Sequence, residues 1–271
     1  MSRKPQNKLR EAIPIPPPAP LPEPENIDFG SIFNEYASGA IDLIVVLGPT
    51  ASGKTRYAVD LAHKCGNGEI LSADSRQVYR GMDIGTGKDL EDYVVEGQLV
   101  PYHLIDIVDA GTKYNLFQYQ QDFTVAYNDI CSRGVTPVLC GGTGLYIEAV
   151  LKGYALSPVP QNPELRQSLE GKTLPELTVL LEDLKKKAGS VMHNVTDVDS
   201  CQRAIRAIEI ETYNLEHATE LRTMPPIDSV IVGLSVDRDY RRKKISEDAP
   251  QLFTDNNEQV RSKSEVIIAN A

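Results

Sequence analysis

The sequence predicts an α/β fold in which a parallel sheet is flanked by helices. Short apolar stretches typical of buried strands alternate with stretches whose apolar residues recur at helical spacing. Strands that alternate with helices in this way imply parallel βαβ units. With 271 residues, the chain is long enough for one large domain of this class that carries an insertion.

The predicted strands are short. The first, IDLIVVL (41–47), is a continuous run rich in β-branched residues, which is typical of a strand buried on both faces. The later ones are GEILSADS, which ends at Asp74, YHLIDI (102–107), TPVLC (136–140) and DSVIVGLSV (228–236).

Helical spacing follows the strands. In KTRYAVDLAHKC, the residues Tyr57, Ala58, Leu61 and Ala62 share one stripe. LFQYQQDFTVAYNDICSRG is predicted to be a helix that Gly134 ends, and LYIEAVLKGY another. A short helix is expected in IDFGSIFNEYASGA, before the first strand.

Composition divides the chain into five segments. Residues 1–38 are predicted to be a proline-rich, disordered extension, because proline removes backbone donors and restricts φ. The α/β core is predicted at 39–155, a helical insertion at 156–200, a return to the core at 201–245 and a divergent tail at 246–271.

Charge and cysteine content limit the classes of function. A net charge of −10 argues against a surface covered in nucleic acid, although it allows a local basic groove. The four cysteines and four histidines have no metal-ligand spacing, which favours reduced thiols in a cytoplasmic protein. No apolar run is long enough to span a bilayer, and we expect a monomer without a membrane partner.

A phosphate-binding motif follows the first strand. The stretch matches G-x-x-x-x-G-K-[ST] between a predicted strand and a predicted helix, and therefore indicates a P-loop NTPase-like fold. Its backbone N–H groups would bind phosphate oxygens, its lysine the terminal phosphates and its last hydroxyl Mg²⁺. The predicted phosphate-binding residues are Gly48, Pro49, Thr50, Ala51, Ser52, Gly53, Lys54 and Thr55, with Thr55 also the predicted metal ligand.

Spacing alone leaves the chemistry of this loop open. The same loop can hold the β and γ phosphates of ATP or a diphosphate that leaves as pyrophosphate. Asp74 and Asp106 both come at predicted strand ends, where open α/β sheets bind ligands. Either could bind Mg²⁺ through water or accept a proton, and Asp106 could equally be a helix or turn cap.

The longest motif is SADSRQVYRGMDIGTGK (72–88). With GPTASGKT, YHLIDI, PVLCGGTGLYI, RAIRAIEI and VGLSVDR, it resembles the tRNA dimethylallyltransferase family, also called tRNA isopentenyltransferases. These segments extend from residue 43 to about residue 242, in the order found in the family. The resemblance implies transfer of a dimethylallyl group from dimethylallyl diphosphate to N6 of the adenosine that lies 3′ of the anticodon in tRNA. Pyrophosphate would leave, and Mg²⁺ would stabilise the charge that develops on it.

The resemblance also implies roles for single residues. Asp74 is the expected general base, Thr143 lies near the diphosphate, and Arg238 reaches it. Two segments are expected to contact tRNA, and their residues are Asp74, Ser75, Arg76, Gln77, Gln202, Arg203, Ala204, Ile205 and Arg206. Asp74 could instead be a strand-end cap, Thr143 an ordinary N-cap, Arg238 a solvated surface charge, and Arg203 and Arg206 a charged helix face.

The last part of the sequence departs from the family. The likeness is expected to end near residue 246, where a truncation or frame change would remove the family's further helices and its basic, aromatic C-terminal stretch, which helps hold tRNA. Three alternatives therefore remain open: an enzyme that prenylates AMP or ADP, a P-loop small-molecule kinase, and a non-catalytic remnant.

Overall fold

A computed structural model describes the chain from residue 27 to residue 246, with gaps. The described ranges are 27–83, 85–156, 159–189, 195–217, 224–243 and 245–246. The predicted proline-rich part before residue 27 and the predicted tail after residue 246 lie outside them.

Five parallel strands form the central sheet, and two pairs of short strands lie outside it. The strands are β1 (Leu43–Leu47), β2 (Gly68–Ser72), β3 (Tyr79–Arg80), β4 (Val94–Val95), β5 (Gln98–Leu99), β6 (Tyr102–His103), β7 (Val108–Asp109), β8 (Thr136–Gly141) and β9 (Ser229–Gly233). The order in the sheet is β6-β2-β8-β1-β9. Strand β3 pairs with β7, and β4 with β5.

Helices cover both faces of the sheet. They are α1 (Phe29–Ala37), α2 (Lys54–Lys64), α3 (Leu116–Ser132), α4 (Gly144–Leu151), α5 (Pro163–Leu169), α6 (Leu174–Lys187) and α7 (Cys201–Glu216). Residues 238–243 are also helical, and short 3-10 helices span Leu90–Tyr93 and Val195–Val198. The prediction of a P-loop NTPase-like parallel sheet flanked by helices is confirmed.

The continuous apolar run of β1 reflects burial on both faces. Ile44 and Val46 pack in the core beneath α1 and α2, while Leu43 and Val45 pack beneath α3 and α4. Successive side chains of a strand point to opposite faces, so a strand between two helical layers requires apolar residues at every position.

The ordered core starts earlier than predicted. Helix α1 lies within the segment that we assigned to the extension, yet Ile32 on it is buried in the sheet core and Phe29 packs against Tyr57. Asp28 caps this helix by accepting hydrogen bonds from the N–H groups of Gly30 and Ser31. The boundary at residue 38 is therefore placed too late, because the apolar face of α1 already belongs to the core.

The helical insertion extends further than predicted. Helix α7 was assigned to the returning core, but it packs against α6 and shares a small separate core with α5 and α6. That core contains Leu169, Leu177, Leu181, Ala204 and Ile208. Helical periodicity reveals that α7 has an apolar face, but it does not tell which partner covers that face.

The predicted strand at 102–107 is largely wrong. Strand β6 ends at His103, because Leu104 has a φ of 67° and Asp106 a φ of 56°. Non-glycine residues rarely adopt this left-handed conformation, and it cannot continue a strand. The chain turns there and pairs again only as β7, beside β3.

Candidate active site

The phosphate-binding loop joins the end of β1 to the start of α2, as its motif predicts. Gly53 has a φ of 78° and Ala51 a φ of 60°, so the loop winds through two left-handed residues before the helix. A Cβ on Gly48 would lie 2.7 Å from Ser52 Oγ and 3.3 Å from the Leu234 carbonyl oxygen, so a side chain here would force its neighbours to shift. Gly53 caps α2 without a side-chain hydrogen bond. The first N–H groups of α2 are therefore not capped by a side chain, as an anion-binding helix start requires.

Lys54 extends from this loop toward the end of β8. A Cβ built on Gly142 would lie 3.5 Å from Lys54 Nζ, an ordinary contact distance, so the ammonium group lies beside the end of β8. Beneath it, Cys140 Sγ lies 3.6 Å from the Lys54 carbonyl oxygen. Burial raises the pKa of the Cys140 thiol to about 12, while Lys54 lowers it and Asp74 raises it. The charges of Lys54 and Asp74 therefore both act on the end of β8.

Asp74 lies in the turn that follows β2. The residue is 7% exposed, and its Oδ1 accepts a hydrogen bond of 3.0 Å from the N–H of Arg76. The Nε of Arg76 lies 3.7 Å from the same oxygen. Among the described residues, none donates a hydrogen bond to Oδ2. One carboxylate oxygen thus holds the turn, and the other is available to accept a further hydrogen bond.

Thr143 joins the end of β8 to the Asp74 turn. Its N–H donates to the carbonyl of Ala73 at 3.0 Å, and its hydroxyl oxygen accepts from the N–H of Ser75 at 3.0 Å. Although Thr143 occupies the N-cap position of α4, its side chain makes no capping hydrogen bond there. The alternative of an ordinary N-cap is thus not realised, because the hydroxyl group bonds to Ser75 instead.

The ends of β2 and β8 are in close contact. A Cβ on Gly141 would come within 2.2 Å of the Ala73 carbonyl oxygen, so only glycine fits there. Strand β8 lies between β2 and β1, which places the Asp74 turn and the phosphate loop about two strand spacings, roughly 10 Å, apart. This gap can hold a small group bound to a diphosphate on one side and to an acceptor on the other.

Arg241 lines a large cavity beside the phosphate loop, and the sequence analysis missed it. The cavity has a volume of about 1230 Å³, and Gly48, Pro49 and Gly142 contribute to its wall. The Nε of Arg241 is buried and has no partner in the described part of the chain. Arg238 is exposed at the start of the same helix and is not part of the wall. A possible signal was the position of Arg241 one helical turn after Arg238.

The first predicted tRNA-contacting segment is only partly on the surface. The Arg76 side chain is exposed and Ser75 is half-buried. Gln77 is buried, with its amide oxygen accepting from Ser72 Oγ and its amide nitrogen donating to the Gly87 carbonyl, both at 2.7 Å. The predicted tRNA contact by the Gln77 side chain does not fit this arrangement, because both ends of the amide bond within the protein.

The second predicted segment, at the start of α7, is also partly exposed and partly buried. Gln202 and Arg203 are exposed, and Arg203 forms a 2.8 Å ion pair with Asp199. Ala204 is fully buried and Ile205 packs against the small helical core, so neither fits the predicted contact with tRNA.

Arg206 also departs from the predicted role. It pairs with Glu209 at 3.1 Å and donates to the Val159 carbonyl at 2.8 Å. Arg166 binds both carboxylate oxygens of Glu209, at 2.7 and 2.8 Å. These contacts, chiefly those of Arg166, hold the pKa of Glu209 at about 2. Arg206 is therefore engaged in an internal ion cluster, although its helix also presents Arg203 to solvent.

Asp106, whose role the sequence left open between metal ligand and cap, is an ion-pair partner. Its carboxylate oxygen accepts a short hydrogen bond from the buried ammonium group of Lys88. Within the described residues, no group of three or more His, Cys, Asp or Glu could hold a metal ion. Mg²⁺ commonly binds one or two protein groups together with phosphates and water, so the half-buried Thr55 of the loop fits that kind of site.

No helix in the described part of the chain is both long enough and apolar enough to cross a membrane.

Comparison with known proteins identifies the family. A family model described as IPP transferase matches residues 77–257, and one described as Isopentenyl transferase matches residues 41–99. The first match extends beyond residue 246, where we expected the likeness to end. tRNA dimethylallyltransferase 1 of Porphyromonas gingivalis is 62% identical over 205 residues, which are 76% of this chain and 66% of that protein. tRNA dimethylallyltransferase 2 of Bacteroides fragilis is 57% identical over 214 residues, or 79% and 68%.

Two solved structures resemble this chain. The tRNA isopentenylpyrophosphate transferase of Bacillus halodurans is 34% identical, with a TM-score of 0.50 over 79% of this chain and 66% of that one. A eukaryotic dimethylallyltransferase acting on tRNA is 20% identical, with a TM-score of 0.61 over 84% and 56% of the two chains, and supports the fold alone. The chain spans about two thirds of the length of the curated relatives it matches. On these matches, the chain belongs to the IPP transferase family.

Proposed function

We propose that the protein transfers a dimethylallyl group from dimethylallyl diphosphate to N6 of the adenosine 3′ of the anticodon in tRNA. The observation that carries this proposal is the pairing of the phosphate loop with Asp74 across the end of β8. Gly142 adjoins Lys54, and the next residue, Thr143, bonds to Ser75. The relatives of 62% and 57% identity reported above are both named tRNA dimethylallyltransferase.

The phosphate loop is suited to the leaving group. As the bond between the allylic carbon and oxygen breaks, the electron pair stays with pyrophosphate, whose charge needs preorganised donors. The loop N–H groups and Lys54 would supply them on one side. Of the cations that follow β9, Arg241 lines the adjoining cavity and Arg238 is exposed at the start of the same helix. The loop hydroxyl of Thr55 would hold Mg²⁺, which when bound adds further positive charge at the diphosphate.

Asp74 is suited to the acceptor. The exocyclic amine of adenine is a weak nucleophile, because its lone pair is delocalised into the ring. As the C–N bond forms, the amine proton passes to Oδ2 of Asp74, a step typically worth about 10²–10⁴-fold in rate. Thr143 holds the turn through Ser75 and thereby orients this carboxylate.

The acceptor base must leave the anticodon loop to reach the carboxylate. Single-stranded loops allow a base to be turned outward at low cost. We propose that Ser75 and Arg76 contact the nucleotide beside Asp74, and that Gln202 and Arg203 contact the RNA backbone from α7. Ser75 is half-buried, and the other three residues are exposed. Such contacts make binding depend on salt concentration.

The test offers dimethylallyl diphosphate and Mg²⁺ with an anticodon stem-loop or with AMP, and in a third reaction ATP with small alcohols. Products are identified by mass spectrometry. We expect prenylated stem-loop, and a loss of kcat of about 10²–10⁴-fold in Asp74→Asn, which retains an oxygen for the Arg76 N–H. Transfer only to AMP, phosphorylation of an alcohol, or inactivity on every acceptor would each refute the proposal.

A further inference from the structure

We propose that Lys88 is a positioning residue that holds the loop carrying Asp74, Ser75 and Arg76 in its working geometry. The effect of this positioning on catalysis rests on the proposed function. The positioning itself can be measured without any substrate.

The ammonium group of Lys88 is buried and fully bonded. The side chain is 2% exposed. Nζ donates to the Tyr79 carbonyl at 2.7 Å and to Asp83 Oδ1 at 3.1 Å, and its third partner is Asp106 Oδ1. A lysine has three N–H donors, and all three are used. A buried charge of this kind is tolerated only with such partners, so the three acceptors fix where the ammonium lies.

The partners of Lys88 belong to the segments that support the Asp74 loop. The N–H of Asp106 donates to the Gln77 carbonyl at 3.0 Å, and the next N–H, of Ile107, donates to the Val78 carbonyl at 2.9 Å. On the other side, the Gln77 amide bonds to the carbonyl of Gly87, the residue before Lys88. Residues 77–79 therefore lie between the segment that contains Asp106 and the segment that ends at Lys88. The Lys88 ammonium group links the two segments, because it bonds to Asp106.

The segment that Lys88 holds is strained. Leu104 and Asp106 both have positive φ values, which cost energy for residues with a side chain. Such a conformation persists only where the surroundings impose it, and the ion pair with Lys88 is such a constraint. Without it, we expect 104–106 to relax, the bond from Asp106 to Gln77 to weaken, and the Asp74 turn, three residues earlier, to move. A displacement of about 1 Å can cost about 10²-fold in rate.

Three substitutions separate positioning from general stability. Asp106→Asn removes the charge but keeps an oxygen, Lys88→Met removes the cation but keeps the apolar stem, and Asp83→Asn is the control. Asp83 shares the same ammonium group, but its side chain is 65% exposed and makes no hydrogen bond to residues 74–80 within the described chain. Each variant is analysed for amide hydrogen exchange, and for kcat and KM per folded molecule.

In Asp106→Asn and Lys88→Met we expect faster exchange of the Asp106 and Ile107 amides, by about tenfold or more, with β1 and β8 unchanged. We expect kcat to fall about 10²-fold, while KM for the diphosphate stays within about twofold because the phosphate loop is untouched. Asp83→Asn should change exchange and kcat far less than Asp106→Asn does, because the Asp83 side chain is 65% exposed and water can replace its bond to Lys88. In the double variant Lys88→Met/Asp106→Asn, the loss should not exceed that of the worse single variant.

The inference is overturned if Asp106→Asn exchanges and turns over like Asp83→Asn, or if the lost activity equals the unfolded fraction. Should Lys88→Met fail to fold, Asp106→Asn decides alone. If the wild type transfers no prenyl group, the proposed function fails, and the exchange data still decide whether Lys88 positions the loop.

Discussion

Glu209 is expected to be a main stabilising residue of the helical insertion. Its side chain is fully buried on α7, yet it carries a charge that Arg166 and Arg206 neutralise. The N–H of Asn162 also donates to it, at 2.8 Å. Glu209→Gln keeps the size and one acceptor oxygen but removes the charge, and it places an amide N–H₂ group against two guanidinium groups.

The expected loss of stability in Glu209→Gln follows from the pKa of Glu209. Arg166, the main cause, helps to lower that pKa from the ordinary 4.5 to about 2. At about 1.36 kcal/mol for each pH unit, the difference corresponds to about 3 kcal/mol. Both arginines are 39% exposed, so water screens part of this energy. We therefore expect Glu209→Gln to lower the free energy of unfolding by about 2 kcal/mol at neutral pH.

The pH dependence has a defined sign. Because the pKa is lower in the folded state, the stabilisation is fully present above pH 4.5 and is lost as the pH falls toward 2. Urea unfolding followed by far-UV circular dichroism, repeated across this range, measures it. Asp199→Asn is the control, because the Asp199–Arg203 pair is about half exposed and should contribute less than about 1 kcal/mol.

The result that would refute this reasoning is a Glu209→Gln variant as stable as Asp199→Asn at neutral pH. A difference from the wild type that persists unchanged at pH 2 would refute it as well, since protonation of the wild-type carboxyl should remove most of that difference.

Three further predictions concern the site. Lys54→Met should lower kcat/KM for dimethylallyl diphosphate by about 10²–10³-fold in steady-state assays, and an unchanged value would exclude Lys54 from the diphosphate site. Arg203→Ala should weaken stem-loop binding in filter-binding assays and reduce the slope of log affinity against log salt concentration by about one. Arg206→Ala should mainly lower the melting temperature, and the opposite pattern would contradict the internal role of Arg206. Gly141→Ala would place a methyl group 2.2 Å from the Ala73 carbonyl, so we expect lower thermal stability and reduced turnover, and a variant equal to the wild type would refute that close contact.

The sequence alone predicts most of the fold. Strand β1 and helix α2 were predictable because burial on both faces needs a continuous apolar run, and a helix needs its own spacing. The phosphate loop was predictable for a similar reason, since its glycines and its lysine are required by local backbone geometry. Local requirements such as these produce recognisable patterns in consecutive residues.

Tertiary structure decided what depends on partners far apart in the chain. Gln77 and Arg206 have the same side-chain chemistry whether they face RNA or the protein interior. Gly87, ten residues after Gln77, and Val159, 47 residues before Arg206, accept the hydrogen bonds that turn these side chains inward. The break after β6 depends on the left-handed residues beside Lys88, which spacing cannot reveal. The placement of Asp74 opposite Lys54 follows from the strand order β2-β8-β1, because non-consecutive strands become neighbours only when the whole sheet forms.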